Sequence, residues 1–288
     1  MHLLNVIILA IIQGFTELLP VSSSAHVVVA EKLMHLDPSA PEMTLLLVML
    51  HTGTMIAVIV FFWKQWRKAF FESMEVFKRS ALLLFLASAV TAVIGEALIK
   101  GIEKFWFRDQ PKAEVEQLFS HLELIAPALA VGGILILIAG LATRQSQFRS
   151  RADGSYIETG QAGFIGAVQG LCLPFRGFSR SGATISTGML AGMPRVLAEE
   201  FSFALAVILT PAADGRELLR LMKAEHLSGG SLASAVTPSL IGAAFAFVAG
   251  LLALKWLTGW LERGRWYWFG IYCLVAAAAV AYLHHAGY

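Results

Sequence analysis

Two short stretches of this chain set polar and ionisable residues among apolar neighbours. Residues 13–26 hold Gln13, Glu17, Ser22, Ser23, Ser24 and His26, and residues 176–184 hold Arg176, Ser179, Arg180, Ser181, Gly182 and Thr184. An ionisable side chain at the centre of a bilayer costs at least about 2.5–3.5 kcal/mol on insertion scales, so such residues pair or line a wet cavity. One stretch carries a carboxylate and an imidazole; the other carries two guanidinium groups. Gln13 and Glu17 are four residues apart and share a helix face. Pro20 stops that helix, and Ser22–Ser24 stand where they can cap the next one. Ser179, Arg180, Ser181 and Gly182 likewise precede an apolar helix. Free N–H groups at a helix start, together with a guanidinium fork, make an anion site suited to phosphate oxygens. A carboxylate beside that site repels an anion unless a divalent cation lies between them. Hard oxygen ligands suit Mg²⁺ or Ca²⁺, so Glu17 and Gln13 are the candidate metal ligands. The residues thus describe phosphate, a divalent cation and an acid or base inside a membrane.

Plainer readings stand beside these. Glu17 and Arg180 can form a buried ion pair that only holds two segments together, although a bare pair leaves the serines and His26 unexplained. Ser22–Ser24 can cap a helix and still take part in chemistry. His51, in the middle of an apolar run and followed by Thr52-Gly53-Thr54, reads equally as a packing residue or as part of a substrate site. Glu96 and Asp214 lie near span ends, where solvent or snorkelling accounts for them. Gly132, Gly133 and Gly140 read as close helix contacts, and the seven tryptophans as interfacial anchors.

The elements that must hold these residues follow from composition. Hydrophobic residues make up 57% of the 288, charged residues 15%, and the mean hydropathy is +0.68. A soluble fold of this size could not cover itself with so few charges. With 22 Lys and Arg against 20 Asp and Glu, the net charge of +2 excludes a nucleic-acid partner. Cys172 and Cys273 lie in apolar stretches, with no metal-ligand spacing and no disulfide framework. The run 1–12 has no preceding Lys or Arg and reads as a half-segment rather than a secretory signal. Residues 43–63, 80–99, 124–143, 236–256 and 267–283 read as spanning helices. Residues 196–213, with Glu199, Glu200 and Pro211, read as a weaker sixth. The stretches 5–36 and 160–193 are apolar but broken, and broken backbone at membrane depth needs protein or a wet cavity around it. Both read as re-entrant helical hairpins.

The two broken stretches share a register. Gln13-Gly14 and Gln169-Gly170 are 156 residues apart, as are Ser23 and Ser179, Thr54 and Thr210, and Ala57 and Ala213. The expected fold is an all-α polytopic membrane protein, a single domain over 1–288. Each half is one re-entrant hairpin plus three transmembrane helices, with repeat one over about 1–143 and repeat two over about 157–288. Three spans per copy invert the second copy relative to the first. With segment 64–79 inside, the inner segments hold eleven Lys and Arg against eight outside. This bias places the mouth of the first hairpin outside. The two polar sets then meet near the midplane.

At these residues the chain resembles the undecaprenyl-diphosphate phosphatase, or bacitracin-resistance, family. Gln-Gly-Phe-Thr-Glu-Leu-Leu-Pro-Val-Ser-Ser-Ser-Ala-His at 13–26 is similar to the family's Glu/Gln-x-x-x-Glu and Pro-Val-Ser-Ser pattern. Gly-Phe-Ser-Arg-Ser-Gly-Ala-Thr at 177–184 is similar to its Pro-Gly-x-Ser-Arg-Ser-Gly-x-Thr pattern. The helix bearing His51-Thr52-Gly53-Thr54 and the run Glu200-Phe201-Ser202-Phe203 resemble corresponding family segments. The resemblance implies hydrolysis of a polyprenyl diphosphate to its monophosphate in the bacterial inner membrane, with release of inorganic phosphate. This recycles a lipid carrier for cell-wall synthesis and confers bacitracin resistance. By position it implies Glu17, Ser23, His26 and Arg180 as catalytic. Gln13, Ser22, Ser179, Ser181, Gly182, Thr184, Arg176 and His51 are the candidate substrate-binding residues. The chain departs from the pattern at Gln13 (often Glu), at Ala25 (often Gly) and at Arg176 (Pro in the family), the last adding a cation beside the phosphate site.

Two routes for the chemistry stay open. In one, Ser23 attacks phosphorus, with His26 three residues on as its base. In the other, Glu17 or His26 activates water and Ser23 binds phosphate. A lipid transporter or flippase for the same phosphorylated lipid is the competing class, because inverted repeats with broken helices are a transporter plan. A type 2 phosphatidic-acid phosphatase is excluded, since no His follows Ser179-Arg180 through Thr187. The expected partners are the polyprenyl diphosphate, membrane lipid and a second copy of the chain as a homodimer. The site is expected to open to the extracytoplasmic side.

Overall fold

The computed structural model describes residues 2–38, 40–106, 121–143, 157–228 and 233–287. Among them every regular element is a helix: α1 (Leu3–Leu18), α2 (Ser23–Leu33), α3 (Pro41–Phe70), α4 (Met74–Trp106), α5 (Leu122–Ala142), α6 (Thr159–Cys172), α7 (Arg180–Leu190), α8 (Arg195–Ser228), α9 (Ala233–Glu262) and α10 (Tyr267–His285). Helices α3, α4, α5, α8, α9 and α10 each contain a stretch long and apolar enough to cross a membrane. The protein is an integral membrane protein. The long helices extend past the apolar runs that foretold them: α3 begins at Pro41 and continues through Arg67 and Lys68. Basic side chains on the last turns suit both the headgroup region and the negative end of the helix dipole. Helix α8 runs through Pro211 and continues to Ser228.

The two broken stretches form pairs of short helices. At about 1.5 Å per residue, α1 reaches about 24 Å, α6 about 21 Å, and α2 and α7 about 16 Å each, all short of the roughly 30 Å hydrocarbon core. Helix α1 buries Val6, Leu9, Ala10, Gln13 and Gly14 along one stripe, at the 3,4 spacing of a single helix face. That stripe lies on α9. Helix α7 is buried from Ser181 through Met189 and packs on α5, α6 and α8. It forms the centre of the bundle.

Helices α1–α5 recur in order and kind as α6–α10, and the contacts exchange between the halves. Helix α1 packs on α9, and α6 packs on α4. A Cβ on Gly14 would lie 3.2 Å from Gly250 N, and one on Gly170 would lie 2.9 Å from Ile94 Cβ. Both partners obey the same 156-residue offset. Close approach also explains Gly133 and Gly140, which lie against Cys273 and Tyr267 of α10.

The tryptophans divide. Trp63, Trp256 and Trp268 are exposed, as interfacial anchors are. Trp66 and Trp266 are buried, and their indole N–H groups donate to Glu200 O and Ser186 Oγ. The interfacial reading is corrected for these two, which are core residues satisfied by hydrogen bonds. Trp106 lies outside the described side chains.

Overpacking a close helix contact costs about 1–3 kcal/mol, and a Cβ on Gly14 would stand 2.5 Å from Ala249 Cβ and 2.8 Å from Ala246 O. Gly14→Ala is expected to lower the thermal unfolding midpoint in detergent by that scale. Gly163→Ala, in α6 with nothing within 4 Å of a new Cβ, is expected to raise stability by about 0.5–1 kcal/mol. Equal midpoints for the two variants would contradict the packing of α1 on α9.

Candidate active site

The end of α1 and the start of α7 converge with α3 and α8 on one cleft, whose lining includes Glu17, Thr54, Phe203 and Thr210, and Ser23 at the start of α2 reaches the Glu17 carboxylate. The sequence dictates the local geometry. Helix α1 stops before Pro20, and the chain reverses through Ser22, a non-glycine residue at φ 67° and ψ 94°. Residues held in such sparsely populated regions cost of order 1–3 kcal/mol and persist only where the surroundings over-determine them. Here the surroundings are the hydroxyl contact from Ser22 to Ser24 at 3.2 Å and the Ser22 carbonyl, which accepts from His26 Nδ1 at 2.8 Å. In the second hairpin Gly177 supplies the turn at φ 102°, and a Cβ there would lie 2.5 Å from Ile125 O. Gly177 N donates to Ser24 Oγ at 3.3 Å, so the two turns are tied backbone to side chain.

Glu17 sits at the centre with its side chain 15% exposed. Its Oε1 is ion-paired with Arg180 Nη2. Its Oε2 accepts from Ser23 Oγ at 2.5 Å and from Gln13 Nε2 at 3.1 Å. His51 Nε2 lies 3.9 Å from the same oxygen. Arg180 Nη1 is buried without a hydrogen-bond partner inside the protein. A buried guanidinium N–H left unpaired is costly, and Arg180 is one of the residues that line the cleft. The first N–H groups of α7, on Arg180 and Ser181, are those a helix leaves without intrahelical partners.

The expected substrate-binding residues separate by position. Ser179 caps α7, its Oγ accepting from Gly182 N at 3.2 Å. Ser181 donates to Leu19 O at 3.3 Å and joins α7 to the first turn. Thr184 is fully buried, and its hydroxyl is 2.5 Å from Ser202 Oγ and 2.8 Å from Arg180 O. These hydroxyls bond to the backbone and to one another, and so fix the start of α7. Arg176 is partly buried, and its charge acts on both Glu31 and His51. Ser22 O only accepts, so His26 Nδ1 carries the proton and Nε2 accepts from Tyr272 O–H at 2.7 Å. Both ring nitrogens are occupied, and the group facing the Ser23 hydroxyl is Glu17. Helical spacing alone had paired Ser23 with His26.

Two residues escaped the sequence reading. Asp214, taken for a span-end carboxylate, is 15% exposed with Oδ1 3.6 Å from His51 Nδ1. Ser202 was legible only as a hydroxyl in an apolar span, three residues from Glu199.

The expected divalent cation was tested against these donors. Among the described residues no group of three His, Cys, Asp or Glu is arranged to hold one. Glu17 only accepts, so the Gln13 amide turns its nitrogen toward it and donates instead of coordinating. With Arg180 on the other oxygen, these two donors as they are placed pair with each other and with the guanidinium rather than forming an open two-ligand metal site.

Residues 6–279 match the family described as bacitracin resistance protein BacA. The chain belongs to this family. It is 55% identical over 284 residues to undecaprenyl-diphosphatase 2 of Acinetobacter baylyi, covering 97% of each chain. It is 34% identical over 283 residues to undecaprenyl-diphosphatase 2 of Burkholderia thailandensis, covering 96% of this chain and 95% of the relative. To the undecaprenyl-diphosphatase of Rhodopirellula baltica it is 30% identical over 283 residues, covering 98% of each. For this BacA-family chain, the structure brings the Glu, Ser and Arg of the two motifs into one contact set.

The Thr184–Ser202 hydrogen bond anchors the helix that carries Arg180. Thr184→Val keeps the volume and leaves Ser202 unsatisfied, at a cost of about 1–3 kcal/mol. The double variant Thr184→Val with Ser202→Ala is expected to be less destabilised than the sum of the singles, as coupled neighbours are. Strictly additive unfolding midpoints would show that the two hydroxyls do not interact.

Proposed function

We propose that this chain hydrolyses undecaprenyl diphosphate to undecaprenyl phosphate and inorganic phosphate, by way of a phosphorylated Ser23. The family and the printed names of the relatives support the reaction. One observation carries the mechanism: the Ser23 hydroxyl donates to a carboxylate whose other oxygen holds Arg180. A serine hydroxyl is a weak nucleophile until an adjacent base takes its proton, and Glu17 stands in that place. Ser23 Oγ attacks the terminal phosphorus, and the bond from phosphorus to the bridging oxygen breaks. Undecaprenyl phosphate leaves, and Glu17 keeps the serine proton. Arg180 turns its unpaired Nη1 to the phosphoryl oxygens as charge spreads over them. Water then attacks the phosphoserine, and Ser23 regains its hydroxyl as inorganic phosphate departs.

A divalent cation, Mg²⁺ or Ca²⁺, would offset the charge of the diphosphate beside Glu17, and none of the steps above is routed through it. The protein lies in the bacterial inner membrane with the halves inverted, and the first hairpin opens to the extracytoplasmic side, where bacitracin acts. The excess of Lys and Arg on the segments assigned inside supports that orientation.

The test is phosphate release from undecaprenyl diphosphate by the purified protein in detergent, where a flippase would produce none. Arg180→Lys keeps the charge but loses the fork, and is expected to lower kcat by about 10²-fold or more. Ser23→Ala is expected to abolish turnover and the acid-quenched phosphoenzyme together. Near-normal turnover by Ser23→Ala, with no phosphoenzyme trapped in the unmutated protein, would replace the covalent route by direct attack of water.

A further inference from the structure

We infer that His51, backed by Asp214, carries away the proton that each turnover leaves on Glu17. The inference rests on the hydrolase reading above and adds the route by which that site resets. Between the second and third ionisations of phosphate, one fully ionised lipid diphosphate and one water give the ionised lipid monophosphate, hydrogen phosphate and one proton. The proton first taken from Ser23 sits on Glu17. When water attacks the phosphoserine, one of its protons stays on the departing phosphate. The serine oxygen is reprotonated, and the remaining proton is left on Glu17. Unless Glu17 loses it, the next Ser23 has no base.

Elimination identifies the acceptor. The groups around the Glu17 carboxylate are Arg180, Gln13 Nε2, Ser23 and His51 Nε2. A guanidinium has no acceptor atom, and an amide NH₂ only donates. The Ser23 oxygen is the one being phosphorylated. A neutral imidazole nitrogen can take the proton, and His51 Nε2 faces Glu17 Oε2 at 3.9 Å. The other ring nitrogen, Nδ1, lies 3.6 Å from Asp214 Oδ1. The order is Ser23, Glu17, His51, Asp214, with one imidazole nitrogen toward each carboxylate. Proton transfer from Glu17 makes an imidazolium whose Nδ1–H faces Asp214, and the proton leaves from there to water. The side chains of Glu17 and Asp214 are each 15% exposed and that of His51 is 37% exposed, so the imidazole between the two carboxylates is the member open to water, from which the proton leaves. Both separations exceed a direct hydrogen bond, and a bridging water or a small ring rotation closes them, as catalytic contacts do when the substrate is bound. His26 cannot serve, because Ser22 O and Tyr272 occupy its nitrogens. Three helices supply the chain of groups: Glu17 from α1, His51 from α3 and Asp214 from α8.

The experiment is rapid-quench turnover of undecaprenyl diphosphate by full-length protein in detergent, with thermal unfolding midpoints recorded for every variant. His51→Gln is expected to complete a first turnover of about one product per enzyme and then slow about 10²-fold in the steady state, the scale of a lost acid or base, with KM little changed. Asp214→Asn is expected to show the same burst and a slowing of about tenfold, as for loss of an outer-shell partner. Added imidazole is expected to restore turnover to His51→Ala and none to Ser23→Ala, a rescue that a packing role would not give. Steady-state turnover by His51→Gln equal to that of the unmutated protein would overturn the relay while leaving the hydrolase reading standing. So would a folded His51→Ala that imidazole does not rescue, or a loss confined to KM. Absence of phosphate release by the unmutated protein would overturn the hydrolase reading, and the relay with it.

Discussion

The ion pair between Glu17 and Arg180 is the constraint on which the rest of the structure depends. Neither charge could stay in this interior alone, because a buried ion without its partner costs several kcal/mol. The two residues come from different hairpins, 163 positions apart, so neither hairpin is complete without the other. Pro20 ends α1 just past Glu17, and the turn at Ser22 (φ 67°) returns the chain so that Ser23 meets the same carboxylate. The two turns are stitched by Ser24 and Gly177 and by Ser181 and Leu19. The same ion pair is a site in waiting. Arg180 spends Nη2 on Glu17 and keeps Nη1 without a hydrogen-bond partner inside the protein, so one face of the guanidinium still lacks an acceptor.

Much of the fold was legible because the lipid solvent is strict. Apolar runs of 20 residues have one stable outcome, and polar residues inside them have few. The two hairpins could be read from Pro20 and from the serines around Arg180, which cannot continue a lipid-exposed helix. Helix ends were less legible. Helix α3 runs seven residues past Trp63, since charged turns at the headgroups remain helical without being apolar.

The centre of the site was legible as residue types, but the partnerships were not. Spacing along one helix suggested Ser23 with His26. Space instead gave Ser23 to Glu17, because the chain reverses between them, and gave His26 to Tyr272, 246 residues away. Thr184 sits in a motif beside Arg180 and yet faces Ser202. Asp214 near a span end had a sufficient account in snorkelling until His51 was found beside it. Each of these pairings crosses between helices, and a one-dimensional pattern carries no information on which face of one helix meets which face of another.

The backbone is doubled, but the chemistry is single. At the 156-residue offset, Glu17 corresponds to Leu173 and Arg180 to Ser24, while His26 corresponds to Gly182. His51 corresponds to Val207 and Asp214 to Val58. Every ionisable group of the site therefore has a small or apolar counterpart in the other half, whereas the packing glycines Gly14 and Gly170 recur. A second copy of the site would have buried another carboxylate and guanidinium at a cost that packing would have had to offset. Keeping one copy restricts that cost to the face where the ions act. The other half then supplies the rigid surroundings: Phe178 against Gly132, the Ser179 cap, and the Thr184–Ser202 anchor. Arg180 belongs to this half by sequence and to the first half's site by position, so the exchange of contacts between the halves places a cation on the carboxylate that the first hairpin buries.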